Sequence, residues 1–104
     1  MKNGNHSPWG TIQHVDCGNR GLFSVSTAGH GGLAISLARA KKELSAKLFA
    51  RAIIQGGYAW FEEDCDATLV FHEKPEWFKL VYKQEMLEVV SESAARLYQE
   101  YFGT

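Results

Sequence analysis

Two runs of alternating residues open the chain. From Trp9 to Cys17 the positions Trp9, Thr11-Ile12, His14-Val15 and Cys17 are rich in β-branched and aromatic side chains. From Leu22 to Thr27, Phe23, Val25 and Thr27 alternate with Ser24 and Ser26. Gly18-Asn19-Arg20-Gly21 separates the runs with residues that tolerate positive φ, so the pattern predicts a β-hairpin over 9–27. Leu33-Ala34-Ile35 reads as a short buried strand beyond the interruption Gly29-His30-Gly31-Gly32. Thereafter the period lengthens. Leu37, Leu44, Leu48, Phe49, Ala52 and Ile53 share one face of a helical region over 36–54, with basic side chains opposite and with Ser36 and Ser45 as candidate caps. One helix or two short ones would satisfy that pattern.

Gln55-Gly56-Gly57 is expected to stop that region, and Tyr58-Ala59-Trp60-Phe61 to enter the core. Residues 67–72 are compatible with a strand or with a helix capped by Asp64, and Pro75 ends the element in either case because it disfavours helical geometry at Lys74. A final helix over 80–102 carries Tyr82, Met86, Val89, Val90, Ser93, Leu97 and Tyr101 at three- and four-residue spacing, with Gly103 as its C-terminal cap. Residues 1–8 read as a loose leader. The expected fold is α+β: a small antiparallel sheet begun by the N-terminal hairpin and packed against the central helical region and the long C-terminal helix. With 104 residues, no repeat and no linker, one domain over 1–104 is expected.

Composition sharpens this picture by exclusion. The chain is 45% hydrophobic and 12% aromatic, unlike a disordered or low-complexity sequence. No run approaches the 18 or more apolar residues of a membrane span, and the start lacks the apolar stretch of a signal peptide. Cys17 and Cys65 are 48 positions apart and in no C-x-x-C arrangement, which argues against a zinc ribbon or a disulfide scaffold. A cytoplasmic location is expected.

The net charge of −1 conceals an uneven distribution: residues 1–51 carry seven basic and two acidic side chains, residues 52–104 four basic and ten acidic. Arg39, Lys41, Lys42, Lys47 and Arg51 could touch phosphates, but Glu43 interrupts them and the acidic half would repel a polyanion, which argues against direct nucleic-acid binding. The acidic half suggests the opposite partner. Glu62, Glu63, Asp64 and Asp66, with Glu85, Glu88 and Glu92, could face a basic, nucleic-acid-binding protein or a ribonucleoprotein with a basic surface. Trp77, following Pro75, could anchor such an interface, since aromatic residues dominate binding hot spots. A homodimer is also compatible with the sequence. The bland alternative for these carboxylates is a solvated face.

Two segments carry candidate chemistry. Gly29-His30-Gly31-Gly32 could form an anion-binding nest, and His30 could act as a general base or a metal ligand; alternatively the glycines permit a tight crossover. Neither dinucleotide-binding nor P-loop spacing is present. Glu62-Glu63-Asp64-Cys65-Asp66 places four carboxylates in five positions, a donor set suited to a hard cation such as Mg²⁺ or Ca²⁺, or equally to an acidic helix start. A catalytic site using His30 and Glu63, or a metal site with Glu62, Glu63, Asp64 and Asp66 as ligands, is the alternative to a non-enzymatic binding protein without a cofactor. Cys65 makes a poor nucleophile there, because neighbouring carboxylates disfavour a thiolate.

Trp9-Gly10-Thr11-Ile12, Val25-Ser26-Thr27-Ala28-Gly29-His30-Gly31-Gly32, Ser36, Gly56-Gly57-Tyr58 and Trp60-Phe61-Glu62-Glu63-Asp64-Cys65-Asp66 occur in this order. Together they resemble a small domain-of-unknown-function family found in phage, plasmid and other mobile-element proteins of bacteria, over about Trp9 to Phe78. The resemblance carries no established activity and transfers no catalytic residue. It implies a setting: small host-takeover or anti-defence proteins, anti-CRISPR proteins among them, which act by binding a host complex.

Overall fold

A computed structural model describes residues 1–103. Strands β1 (His6–Ser7) and β2 (Gly10–Thr11) form a two-residue ladder. Strands β3 (His14–Cys17), β4 (Leu22–Ser26) and β5 (Gly31–Ser36) follow, then helices α1 (Leu37–Glu43) and α2 (Ala46–Phe49). Next come β6 (Ile53–Gln55), β7 (Tyr58–Glu62), α3 (Asp66–Glu73), α4 (Glu76–Tyr82) and α5 (Glu88–Phe102). The five-stranded sheet has the order β3-β4-β5-β7-β6 and is antiparallel throughout. The fold is therefore α+β and the sheet begins with the β3–β4 hairpin, whose first strand starts at His14 and not at Trp9, because Gly10–Thr11 pairs back onto β1.

Alternation along the strands sorts side chains onto two faces. Leu22, Leu33, Ile35, Ala59 and Phe61 point to the helices and join Ala40, Leu48, Leu69, Val70, Trp77 and Val81 in the main core. Val25, Ala34 and Trp60 point the other way and are covered by Ile12, Trp9 and Met1. Residues 1–8, expected as a loose leader, are thus the start of an arm laid across the sheet. Gly4 N–H donates to Ile12 O (2.8 Å) and Ile12 N–H to Asn5 O (2.9 Å), while the Ser7 side chain closes the β1–β2 turn on Gly10 O (2.7 Å).

The 36–54 region divides. Leu44 leaves helical geometry at the end of α1, and Ser45 Oγ accepts from Leu48 N–H (3.2 Å) to cap α2. Ser36 makes no such cap bond. The expected helix also stops short of Ile53-Ile54: this β-branched pair forms β6, and Gly56 (φ 60°) and Gly57 (φ 83°) turn it back onto β7. The two glycines end no helix; they make a hairpin turn that requires positive φ at both positions.

Residues 67–72 are helical within α3, which ends before Pro75 as expected. The last helix is shorter than the 80–102 pattern. Tyr82 belongs to α4, and Lys83 (φ 60°) breaks the chain before α5. The Lys83 ammonium holds that break by donating to Leu80 O (2.6 Å) and to Cys17 O of β3 (3.0 Å). Helix α5 lies against α3, so it reaches the sheet through an intervening layer. Gly103 (φ 78°) ends α5 by donating its N–H to Gln99 O (2.8 Å).

Candidate functional site

Antiparallel pairing of β5 and β7 sets the start of one beside the end of the other, with Gly32 opposite Glu62. The two segments singled out in the sequence are therefore neighbours. The turn before β5 is closed by Thr27, whose N–H (2.7 Å) and hydroxyl (3.0 Å) both donate to His30 O. This aims His30 Nδ1 at Glu62 Oε2, 3.5 Å away, with side chains 57% and 40% exposed. Glu63 N–H donates to Gly31 O (2.9 Å), and its carboxylate lies along Gly31.

The glycines do not form an anion nest. Neither Gly31 nor Gly32 has positive φ, and both sit within the β-ladder. They are small because their surroundings are crowded: a Cβ on Gly32 would lie 2.2 Å from Phe61 O and 2.7 Å from the Trp9 indole. Trp9 uses that gap to pack edge-on against Trp60, ring centroids 5.7 Å apart.

The carboxylates of 62–66 diverge. Asp66, in the first turn of α3, is bound by Arg51 Nε at 2.8 Å, and Asp64 is exposed and caps nothing, since Cys65 occupies the N-cap position without a side-chain bond. Among the described residues no three His, Cys, Asp or Glu side chains converge as a cation site. The Cys65 thiol accepts from Tyr101 OH (3.7 Å), an interaction that raises the phenol pKa, while Arg51 lies over the Tyr101 ring at 4.3 Å.

The eight residues expected to face a partner do not share one surface. Trp77 is only 2% exposed: it and Val81 occupy the inward face of α4, and the Arg39 guanidinium covers its ring at 4.6 Å. It is core, because Pro75 starts a helix here whose period turns Trp77 inward. Glu85 pairs with Lys79 (2.9 Å), and Glu88 and Glu92 are exposed near the start of α5. Tyr101, which touches Cys65, lies thirteen residues beyond Glu88 on α5, about 20 Å at a rise of 1.5 Å per residue. The acidic set is thus two groups at opposite ends of α5.

Sequence reasoning missed one polar cluster. Glu73 accepts from Ser45 N–H (2.9 Å), Ser45 hydroxyl (2.5 Å) and Tyr98 hydroxyl (2.6 Å), tying α3, α2 and α5 together. Partial burial disfavours the Glu73 carboxylate, but those bonds and nearby Lys47 outweigh it and hold the pKa below the ordinary 4.5. Burial and then the bond to Glu73 raise the Tyr98 pKa. Ser45 was recognisable as a cap; nothing local marks Glu73 as its partner 28 positions away.

Fold and site together define a small α+β domain whose half-buried polar groups clasp its elements, while free carboxylates stand at one end of the sheet. The model of a family described as a domain of unknown function (DUF7007) matches residues 2–104, and the chain belongs to that family. No curated protein and no solved structure matches it. No helix of the described residues is long and apolar enough to cross a membrane.

Proposed function

We propose that this chain is a non-enzymatic binding protein whose acidic sheet end docks on a basic surface of a macromolecular partner. The observation that carries the reading is that Glu62, Glu63 and Asp64 are adjacent in the chain and solvent-accessible, with no Lys or Arg ion pair among the described residues. Exposed carboxylates with no Lys or Arg partner, Glu62 meeting only the exposed His30, can steer and hold a basic partner, by occupancy rather than by chemistry. In the setting that the family resemblance implies, the protein comes from a phage or other mobile element and acts in the bacterial cytoplasm. The partner there is a host defence complex, a protein or ribonucleoprotein, that the binding inhibits in the manner of an anti-CRISPR.

The test is the triple variant Glu62→Lys, Glu63→Lys, Asp64→Lys, verified as folded by circular dichroism. In bacteria with an active defence system, the unaltered chain raises phage plating and the triple variant does not. Equal protection by both chains overturns the reading. The alternative, a hydrolytic or metal site at His30 and Glu63, has one observation in its favour, the adjacency of the two segments. Elemental analysis and a His30→Ala, Glu63→Ala pair separate it: stoichiometric metal lost in the pair would support that reading over binding.

A further inference from the structure

At the other end of β5 the charge changes sign. Between Gly31 and Ser36 the strand runs roughly 17 Å at about 3.3 Å per residue. There the β3–β4 turn and α1 border a cleft of about 280 Å³ lined by Arg20, Ser36, Ala38, Arg39, Lys42 and Glu43. Arg39 is its fixed floor, with a side chain 11% exposed. Its Nε contacts Glu43 at 2.9 Å, and its NH1 group donates to Asn19 O and Asn19 Oδ1, each at 2.7 Å. The one carboxylate of the cleft is thereby neutralised. The same bonds hold the turn that carries Arg20, which stands at φ 37°, a conformation that costs a non-glycine residue energy.

Arg20 and Lys42 are exposed and have no carboxylate partner among the described residues. The Ser36 hydroxyl lies against the turn, 2.8 Å from where a Cβ on Gly21 would be, and makes no cap bond. The cleft thus offers a guanidinium, an ammonium and a hydroxyl as unused donors, and its one carboxylate is already bound to Arg39. We propose that it binds the phosphate group of a small molecule, Arg20 and Lys42 supplying charge, Ser36 a hydrogen bond and Arg39 a rigid floor. Phosphate fits better than a carboxylate because its oxygens can meet separate donors on different sides, and its double charge matches two free cations. This site is independent of the acidic end, and either can fail without the other.

The experiment is an amide-resolved NMR titration of the intact chain with inorganic phosphate, with adenosine monophosphate and with sodium chloride at matched ionic strength. Saturable shifts at 19–21 and 36–42 with phosphate, absent with chloride, are expected. Tighter binding of the nucleotide assigns the source to a phosphoester; equal affinity assigns it to the free ion. Arg20→Gly is the informative variant, because glycine accepts the positive φ: the turn survives while the cation is lost. Together with Lys42→Ala it should weaken binding about tenfold or more. Unsaturable shifts, an equal response to chloride, or unaltered affinity in the folded double variant overturns the proposal.

Discussion

On its helical side the sheet joins a cluster of fourteen buried residues; on the other side a smaller cluster forms where Ile12 of the twelve-residue N-terminal arm covers Val25, Ala34 and Trp60. The first face is closed by helices that bring their own hydrogen-bond ladders. The second is closed by an arm whose backbone hydrogen bonds are largely its own, so it meets the sheet through side chains, and the missing Cβ at Gly32 leaves room for both Phe61 O of β7 and the Trp9 ring. The difference explains the glycine-rich segment: it serves close approach, where conformational freedom for a ligand loop was the sharper expectation. It also predicts unequal costs. Phe61→Ala, emptying a wholly buried site on the helical face, should destabilise by about 4 kcal/mol in urea denaturation. Trp9→Ala, removing a half-buried ring from the arm, should cost about 1.5 to 2 kcal/mol. Equal costs would make the arm as much a core element as the helices.

Gly32→Ala tests the reason for the gap. The new methyl would collide with both Phe61 O and Trp9, so a cost near 3 kcal/mol is expected, at the upper end for overpacking. The nearer obstacle, at 2.2 Å, is backbone of β7. Adding Trp9→Ala should therefore restore little of the loss. Substantial rescue in the double variant would shift the origin of the crowding from the ladder to the arm.

These two faces also differ in how far they are legible from the residues. The β3–β4 hairpin and the α3 stop at Pro75 follow from local chemistry, Gly18-Asn19-Arg20-Gly21 in one case and a proline constraint in the other. Ile53-Ile54 misleads because it continues the three- and four-residue spacing of Leu48, Phe49 and Ala52; its β-branching and the following glycine pair are the signals that prevail. The α4–α5 break is invisible to periodicity, because the ammonium of Lys83 holds it through a carbonyl on β3, 66 positions away. The arm is missed for the same reason: Trp9 has a partner only once β5 and β7 are paired. For the site, the adjacency of His30 and Glu62 is a consequence of β5–β7 register, which no local pattern reveals. Trp77 reads as an anchor only while the helix that turns it inward is unknown.

Within the helical layer, the Glu73 clasp should contribute about 1 kcal/mol, as a partly exposed charge-assisted hydrogen bond. Because its pKa is lowered in the folded state, that stabilisation is complete above the ordinary 4.5 and fades as pH falls through the folded value. Denaturation midpoints measured from pH 6 down to pH 3 should fall more steeply for the unaltered chain than for Glu73→Gln. Parallel profiles would show that the clasp carries no differential protonation and stabilises the fold equally in either charge state.

The smallest effect is expected where neither face contributes, at the sheet end. His30 and Glu62 are separated by 3.5 Å and both side chains are substantially exposed, so solvent screens most of their attraction. His30→Ala should shift stability by less than about 0.5 kcal/mol, and Glu62→Lys by no more than a similar amount. That smallness is what gives the charge-reversal experiment its meaning: a variant that folds as well as the unaltered chain can lose function only through its surface. A cost above about 2 kcal/mol for either substitution would instead place the pair among the elements that hold β5 to β7. The acidic end would then be a seam of the sheet, and its carboxylates would no longer be free for a partner.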